Sequence, residues 1–302
     1  GRPVRPLRDE GEVVAGRPAP PVPEDPAVRE NLEKILASPS TLRAHEDFGW
    51  LSRDELRGTR LELELERAEA IISEAGVTGT VVVFGGTRVV ERPDAERRLA
   101  EVEAAAAAAP GDAEALRAVA RARRVLAKAR YYDEAREFAR IVSSVCQRDG
   151  RCDFAIVTGG GPGVMEAANR GAFDVGAKSL GFNIVLPHEQ FPNPYITPGL
   201  CIYFHYFATR KMHFLIRAKA LVAFPGGYGT LDELFETLTL IQTRKMPPVP
   251  VVLFGREFWE KAIDLDFLVE EGTIAPEDAR LVSYAETAAE AWETIARFHG
   301  IG

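Results

Sequence analysis

This chain predicts an α/β fold whose parallel sheet is covered by helices on both faces, and three observations predict it. From about residue 80, apolar runs of strand length alternate with amphipathic stretches of helical period. Three of those runs end in a glycine-rich turn that opens a helix: "FGGTR" (84–88), "TGGGPG" (158–163) and "PGGYGT" (225–230). The 302 residues are 46% hydrophobic, enough for one large core or two modest ones.

The elements follow in order. Residues 1–27 hold seven of the 20 prolines and few large apolar side chains, so an extended or disordered arm is expected. A helical extension should occupy 28–77. It has a short helix near 28–37 and a longer one from "SRDE", where Ser52 and Glu55 have capping-box spacing, to a stop at Gly76. "TVVVFGG" is a buried strand with its turn. Two alanine-rich, charge-laced stretches split by Pro110-Gly111 read as a helical hairpin over about 92–130, and a further helix covers about 131–147. "CDFAIVTGGG", "SLGFNIVLP", "LCIYFHYF", "KALVAFPGG" and "VPVVLFG" supply the remaining strands. Helices fall at "PGVMEAANRGAFDVGA", "TRKMHFLIRA", "LFETLTLIQTRK", "EFWEKAIDLDFLVEEG" and "TAAEAWETIARFHG".

Composition excludes several classes. A net charge of −8 opposes a broad nucleic-acid footprint. No apolar stretch approaches the roughly 18 residues of a membrane span, and nothing reads as a secretory signal. Cys146, Cys152 and Cys201 have neither CxxC nor zinc spacing, and the five histidines form no HExxH pair. No metal site is indicated, and a cytoplasmic protein is expected.

The glycine turns point to chemistry. In an open parallel sheet they share the edge formed by the carboxyl ends of the strands, where ligands bind beside a topological switch point. Bare backbone N–H groups at helix starts favour anions, above all phosphate. The usual nucleotide fingerprints are missing. "GGGPGV" has valine where GxGxxG ends in glycine, and no GxxxxGK[ST] occurs. The expected fold is nevertheless Rossmann-like.

"PGGYGTLDE" (225–233) resembles the PGGxGTxxE motif of the LOG ("lonely guy") family of cytokinin riboside 5′-monophosphate phosphoribohydrolases. "TGGGPGVMEAANRGA" resembles that family's GGGxxG region, and "TRK" (209–211) its Arg-Lys pair. The similarity runs over about 78–300 and is closest to a longer subgroup sharing "NIVLPHEQFPNPY" and "HYF". Phe207 and Phe214 stand where short members have methionines. The family's older "lysine decarboxylase" label has no support in any recognisable pyridoxal-phosphate lysine context.

The resemblance implies catalytic roles for Arg210 and Glu233. A carboxylate beneath the ribose would stabilise the positive charge that develops as an N-glycosidic bond breaks. Glu233 also suits the plainer role of a first-turn helix acid, and Arg210 that of a surface cation. Gly226, Gly227, Gly229 and Thr230 are expected to cradle phosphate, with Gly160, Gly161 and Gly163 as a second wall. Lys211 and Asp232 join the substrate set, Lys211 reading equally as a surface cation. Glu166 reads equally as helix cap or ligand contact. Thr239, on the helical face of Asp232, reads equally as site or core residue. Glu189 is placed near the base, while His188 and His205 read as packed or surface residues. The implied activity is hydrolysis of an adenine or N6-modified adenine nucleoside 5′-monophosphate to free base and ribose 5-phosphate. It needs no cofactor and is carried out by a homo-oligomer. The alternative is a nucleotide- or molybdenum-cofactor-binding carrier without catalysis.

Overall fold

The computed structural model describes residues 23–147, 152–185 and 191–301. The proline-rich arm up to residue 22, and Glu189 with His188, lie outside the described residues. The chain divides into two compact units, residues 1–60 and 61–302.

The first unit contains α1 (Pro26–Ala37) and the single turn α2 (Phe48–Leu51). Asp25 caps α1, accepting the Ala27 N–H at 2.8 Å, and Pro26 takes the first helical position, where no N–H is missed. The capping box expected at Ser52 does not form. Asp47 instead caps α2 through the Trp50 N–H, and the Ser52 hydroxyl donates backward to the Phe48 carbonyl at 2.6 Å. Local side-chain bonding has won over the longer helix. The next helix, α3, therefore starts at Arg57 and runs to Glu74.

The second unit is built on β1 (Thr80–Phe84), β2 (Ala155–Thr158), β3 (Ser179–Ile184), β4 (Cys201–Phe204), β5 (Ala218–Ala223), β6 (Val251–Phe254) and β7 (Val282–Ala285). All pairings are parallel, in the order β4-β3-β2-β1-β5-β6-β7. The α/β sheet expected from the sequence is thus present, with one strand more than the sequence announced. "VSYA" is short, only partly buried and at the sheet edge, so it lacks the apolar run that marks a central strand.

The helices are α4 (Arg92–Ala108), α5 (Ala113–Lys128), α6 (Arg130–Cys146), α7 (Val164–Asp174), α8 (Phe207–Ile216), α9 (Tyr228–Gln242), α10 (Arg256–Ala262), α11 (Leu265–Glu270) and α12 (Ala288–His299). The stretch read as one helix from 257 breaks between α10 and α11, where Asp264 caps the second piece through the Phe267 N–H.

Alternate strand residues feed two cores. Val81, Val83, Ile156, Val222 and Val252 pack with α6, α7 and α12. Val82, Phe84, Val157, Leu221 and Leu253 pack with α3, α8, α9 and Trp259 of α10. This two-residue period is the reason central strands read as continuous apolar runs. The α4–α5 hairpin contributes little to either core. Ala95 and Val119 are its buried residues.

Candidate active site

The strand order reverses between β1 and β5. Strands β2, β3 and β4 extend to one side of β1, and β5, β6 and β7 to the other. A crevice opens above such a reversal, at the carboxyl ends of the strands. The turns bordering it are the first and third glycine turns. They are tied through backbone, with the Phe224 N–H on the Phe84 carbonyl at 2.8 Å and the Gly86 N–H on the Pro225 carbonyl at 2.9 Å.

A cavity of about 330 Å³ lies here. Gly85, Gly86 and Thr87 form one side, and Gly227, Tyr228, Gly229 and Thr230 the other, with Arg210, Asp232 and Glu233 among its polar groups. Met165 and Phe207 add apolar surface. The size and mixed lining suit a small polar ligand with an apolar part.

Helix α9 starts at this cavity without a side-chain cap. Its first-turn N–H groups are therefore available to a ligand. A Cβ at Gly227 or Gly229 would meet no atom within 4 Å, so these positions face open space. Gly226 differs, because a Cβ there would fall 2.1 Å from Thr230 Oγ1. That glycine allows the turn to close on its own helix.

The second glycine turn is a buried brace. Gly163 has φ +76°, and a Cβ on it would come 2.3 Å from the Gly86 carbonyl oxygen. Gly160 has φ +74°, and its added Cβ would strike the Asn183 amide. The Gly160 carbonyl accepts the Asn193 N–H at 2.8 Å, and the Gly161 carbonyl accepts from Asn193 Nδ2 at 3.1 Å. Asn193 Nδ2 also donates to Asn169, which binds Thr158 and Ser179. None of Gly160, Gly161 and Gly163 lines the cavity. Of the three, Gly163 packs directly on Gly86 and Thr87 of the first turn, the wall the cavity presents. These contrasts separate two kinds of glycine. Gly163→Ala is expected to cost roughly 2–3 kcal/mol through strain and overlap. Gly227→Val should leave the melting temperature nearly unchanged, since φ at Gly227 is −100°. It should weaken binding of a phosphate-bearing ligand, AMP being the probe the resemblance implies, about tenfold or more by filling ligand space. Thermal melts and AMP titration of the two variants check this.

Glu233 sits in the first turns of α9 with 5% of its surface exposed. Burial pushes its carboxyl up to about 7, although Lys211, Arg210 and the other nearby acids also act on it through space. The two cations pull it down and Glu236 and Asp232 push it up. Lys211 pairs with Asp232 at 2.7 Å and lies 3.5 Å from Glu236. Burial alone would lower the Lys211 ammonium, but its hydrogen bond with Asp232 and the surrounding carboxylates leave it raised.

Arg210 is differently engaged. Its Nε donates to the Phe182 carbonyl at 2.7 Å, and its guanidinium lies 5.1 Å above the Phe214 ring. A Cβ at Gly159 would be 2.7 Å from Arg210 Nη2, so that glycine makes room for the guanidinium. Burial disfavours the charged form and Glu233 favours it. Among the described residues no hydrogen bond engages the terminal nitrogens of Arg210, which suits them to an anion at the cavity.

The other predicted residues fall outside this group. Glu166 accepts the Tyr132 hydroxyl at 2.9 Å. Thr239 is exposed, and its hydroxyl donates to the Phe235 carbonyl at 2.7 Å within α9. His205 forms an edge-on ring contact with Tyr206. Sequence reasoning omitted Thr87, Met165, Phe207 and Tyr228 from the site. "FGGTR" was a legible signal for Thr87, whereas the apolar lining has no motif.

Comparison with known proteins follows the same lines. A family model described as "Possible lysine decarboxylase" matches residues 165–295. A probable cytokinin riboside 5′-monophosphate phosphoribohydrolase of Oryza sativa subsp. japonica is 30% identical over 148 residues, 47% of this chain and 68% of that protein. Another cytokinin riboside 5′-monophosphate phosphoribohydrolase of the same plant is 32% identical over 140 residues, 45% of this chain and 56% of that protein. An Arabidopsis thaliana counterpart is 31% identical over 140 residues, 45% of this chain and 64% of that protein. The solved structure of a molybdenum cofactor binding protein from Rippkaea orientalis aligns at 18% identity and TM-score 0.41, covering 74% of this chain and 98% of that one. A likeness of that degree weighs on neither ligand nor activity. The plant match extends over two thirds of a relative's length, and the family model spans both Arg210 and Glu233; this chain belongs to the LOG family.

Proposed function

We propose that the chain hydrolyses the N-glycosidic bond of a purine nucleoside 5′-monophosphate, releasing free base and ribose 5-phosphate. The observation that supports it most is a buried carboxyl, Glu233, beside the open start of α9 and the Arg210 guanidinium, in one cavity at the switch point. The plant relatives named for this reaction add weight.

In this reading the 5′-phosphate rests on the N–H groups of the α9 start, with Arg210 as a charged partner. The anchor places C1′ against Glu233. As the bond to the base lengthens, positive charge grows on the ribose, and the Glu233 carboxylate stabilises it. The same carboxylate orients water for attack at C1′. Thr87 and the first glycine turn border the sugar, and Met165, Phe207 and Tyr228 offer apolar surface to the base. Adenine and N6-modified adenine are the expected bases. A homo-oligomer acting in the cytoplasm remains part of the proposal.

The ionised form of Glu233 is the active one here. With its carboxyl at about 7, the base-competent fraction grows as pH rises. Below pH 7, kcat/KM should fall about tenfold per unit and level off above about 8. A pH-independent kcat/KM from 5 to 8 contradicts this role. The functional test is a panel of nucleoside monophosphates, including AMP and isopentenyl-AMP, assayed chromatographically for released base. Recovery of every nucleotide intact, despite measurable binding, favours the carrier alternative.

A further inference from the structure

Helix α8 presents Arg210 and Lys211, yet it starts without a cap of its own. Tyr206 occupies the cap position, its own side chain makes no capping bond, and its N–H needs an acceptor from outside the helix. The acceptor comes from α3. The Glu64 carboxylate accepts the His205 N–H at 2.7 Å and the Tyr206 N–H at 3.1 Å, and it also accepts the Thr209 hydroxyl. Three donors around the helix start, the N–H groups of His205 and Tyr206 and the hydroxyl of Thr209, thus converge on one side chain. Its negative charge lies at the positive end of the α8 dipole.

The place of Glu64 on α3 is unusual. It stands four residues before Ala68 and eight before Ile72, which are fully or almost fully buried at 0% and 1% exposure. Those positions share one helical face, the face packed on the sheet. Glu62 and Glu66 are exposed, as acids on a surface helix ordinarily are. Glu64 is turned inward and satisfied by α8. A second carboxylate of α3 holds the other end. Glu69 accepts both terminal nitrogens of Arg217, each at 2.7 Å, and lies 3.3 Å from His213 Nε2.

We propose that Glu64 is a positioning residue for Arg210, capping α8 from outside and thereby fixing where the guanidinium stands. Arg210 follows Thr209 directly, so the register of the helix start sets the origin of its side chain. Its tolerances are narrow. The Nε–Phe182 bond is 2.7 Å, and Nη2 occupies the space a Cβ at Gly159 would need. A misplacement of about 1 Å at such a group is enough to cost roughly a hundredfold in rate. The catalytic side of this inference rests on the function proposed above, whereas the geometric side does not.

The test uses Glu64→Ala and Glu64→Gln in the full chain, with Glu69→Ala as the control at the far end of α8. The first readout is hydrogen exchange of the Arg210 Nε–H by NMR, which reports its bond to the Phe182 carbonyl without reference to catalysis. Both Glu64 variants should speed that exchange roughly tenfold or more, and Glu69→Ala should speed it less. The second readout is kcat/KM for AMP in a double-mutant cycle with Arg210→Ala. Loss of Glu64 should lower kcat/KM roughly tenfold or more with Arg210 present, and less than about twofold in its absence. Unchanged exchange in a folded Glu64 variant overturns the proposal, as do equal losses in both backgrounds. If the alanine variant does not fold, the near-isosteric glutamine variant gives the same two readings. If the unmodified chain releases base from no monophosphate, the functional reading fails, and Nε–H exchange still decides the positioning role.

Discussion

Glu233→Gln is expected to lower turnover by about two orders of magnitude or more while making the protein more stable above neutral pH. The first effect follows from losing the charge that stabilises the ribose cation. The second follows from burial. In the fold the carboxyl is raised from 4.5 to about 7, so the folded state holds its proton more tightly than the unfolded chain. The stability from that preference is fully present below about pH 4.5 and is lost as pH rises through 7. Above pH 8 the ionised carboxyl costs up to about 3 kcal/mol, a cost the neutral amide avoids. The Gln variant should therefore melt a few degrees higher than the unmodified chain at pH 8, with the gap closing near pH 4. Melts at both pH values, AMP titration and kcat check the pair of effects. Near-normal turnover in a folded Gln variant removes Glu233 from the mechanism. Equal melting temperatures at pH 8 show that the carboxyl is not strained in the fold.

The second large effect concerns the 5′-phosphate. Adenosine should react with a kcat/KM at least about a hundredfold below that of AMP. The uncapped start of α9 and the free end of Arg210 are the groups that would hold the phosphate. Charge-assisted hydrogen bonds contribute about 1.5–3 kcal/mol each. Losing two lowers kcat/KM by roughly two orders or more, at about 1.4 kcal/mol per factor of ten. The loss should appear in kcat as well as KM, because the anchor orients a reacting bond it does not touch. Isopentenyl-AMP against its riboside gives the same comparison for a modified base. Similar values for nucleotide and nucleoside, at one pH and salt concentration, contradict the anchor.

Much of this arrangement is legible in the sequence. Buried strands such as "TVVVF" announce themselves because both faces are covered, leaving no polar alternation. The turns at 84–88, 158–163 and 225–230 mark the carboxyl edge for the same local reason. Strand order is a tertiary property, so the motifs alone do not say that the first and third turns flank the switch point while the second braces them. "GGGPG" and "PGGYG" look alike as text. They differ in φ and in what lies beyond each missing Cβ, open space at Gly227 and the Gly86 carbonyl at Gly163. Helical spacing put Thr239 with Asp232, but a helix face extends past the cavity, and seven residues carry Thr239 about 10 Å along the axis. Glu64 was hidden among "LELELE", where its neighbours serve solvation and only the packing of α3 turns it toward α8.

The bond proposed to break is the one joining base to ribose. The most direct measurement is product identification from AMP and isopentenyl-AMP after prolonged incubation with the chain at pH 8, with Glu233→Gln run in parallel. Free base and ribose 5-phosphate should appear in equal amounts, with the Gln variant about a hundredfold slower or worse. Release of inorganic phosphate with the nucleoside left intact, or recovery of both nucleotides unchanged, would contradict cleavage of that bond.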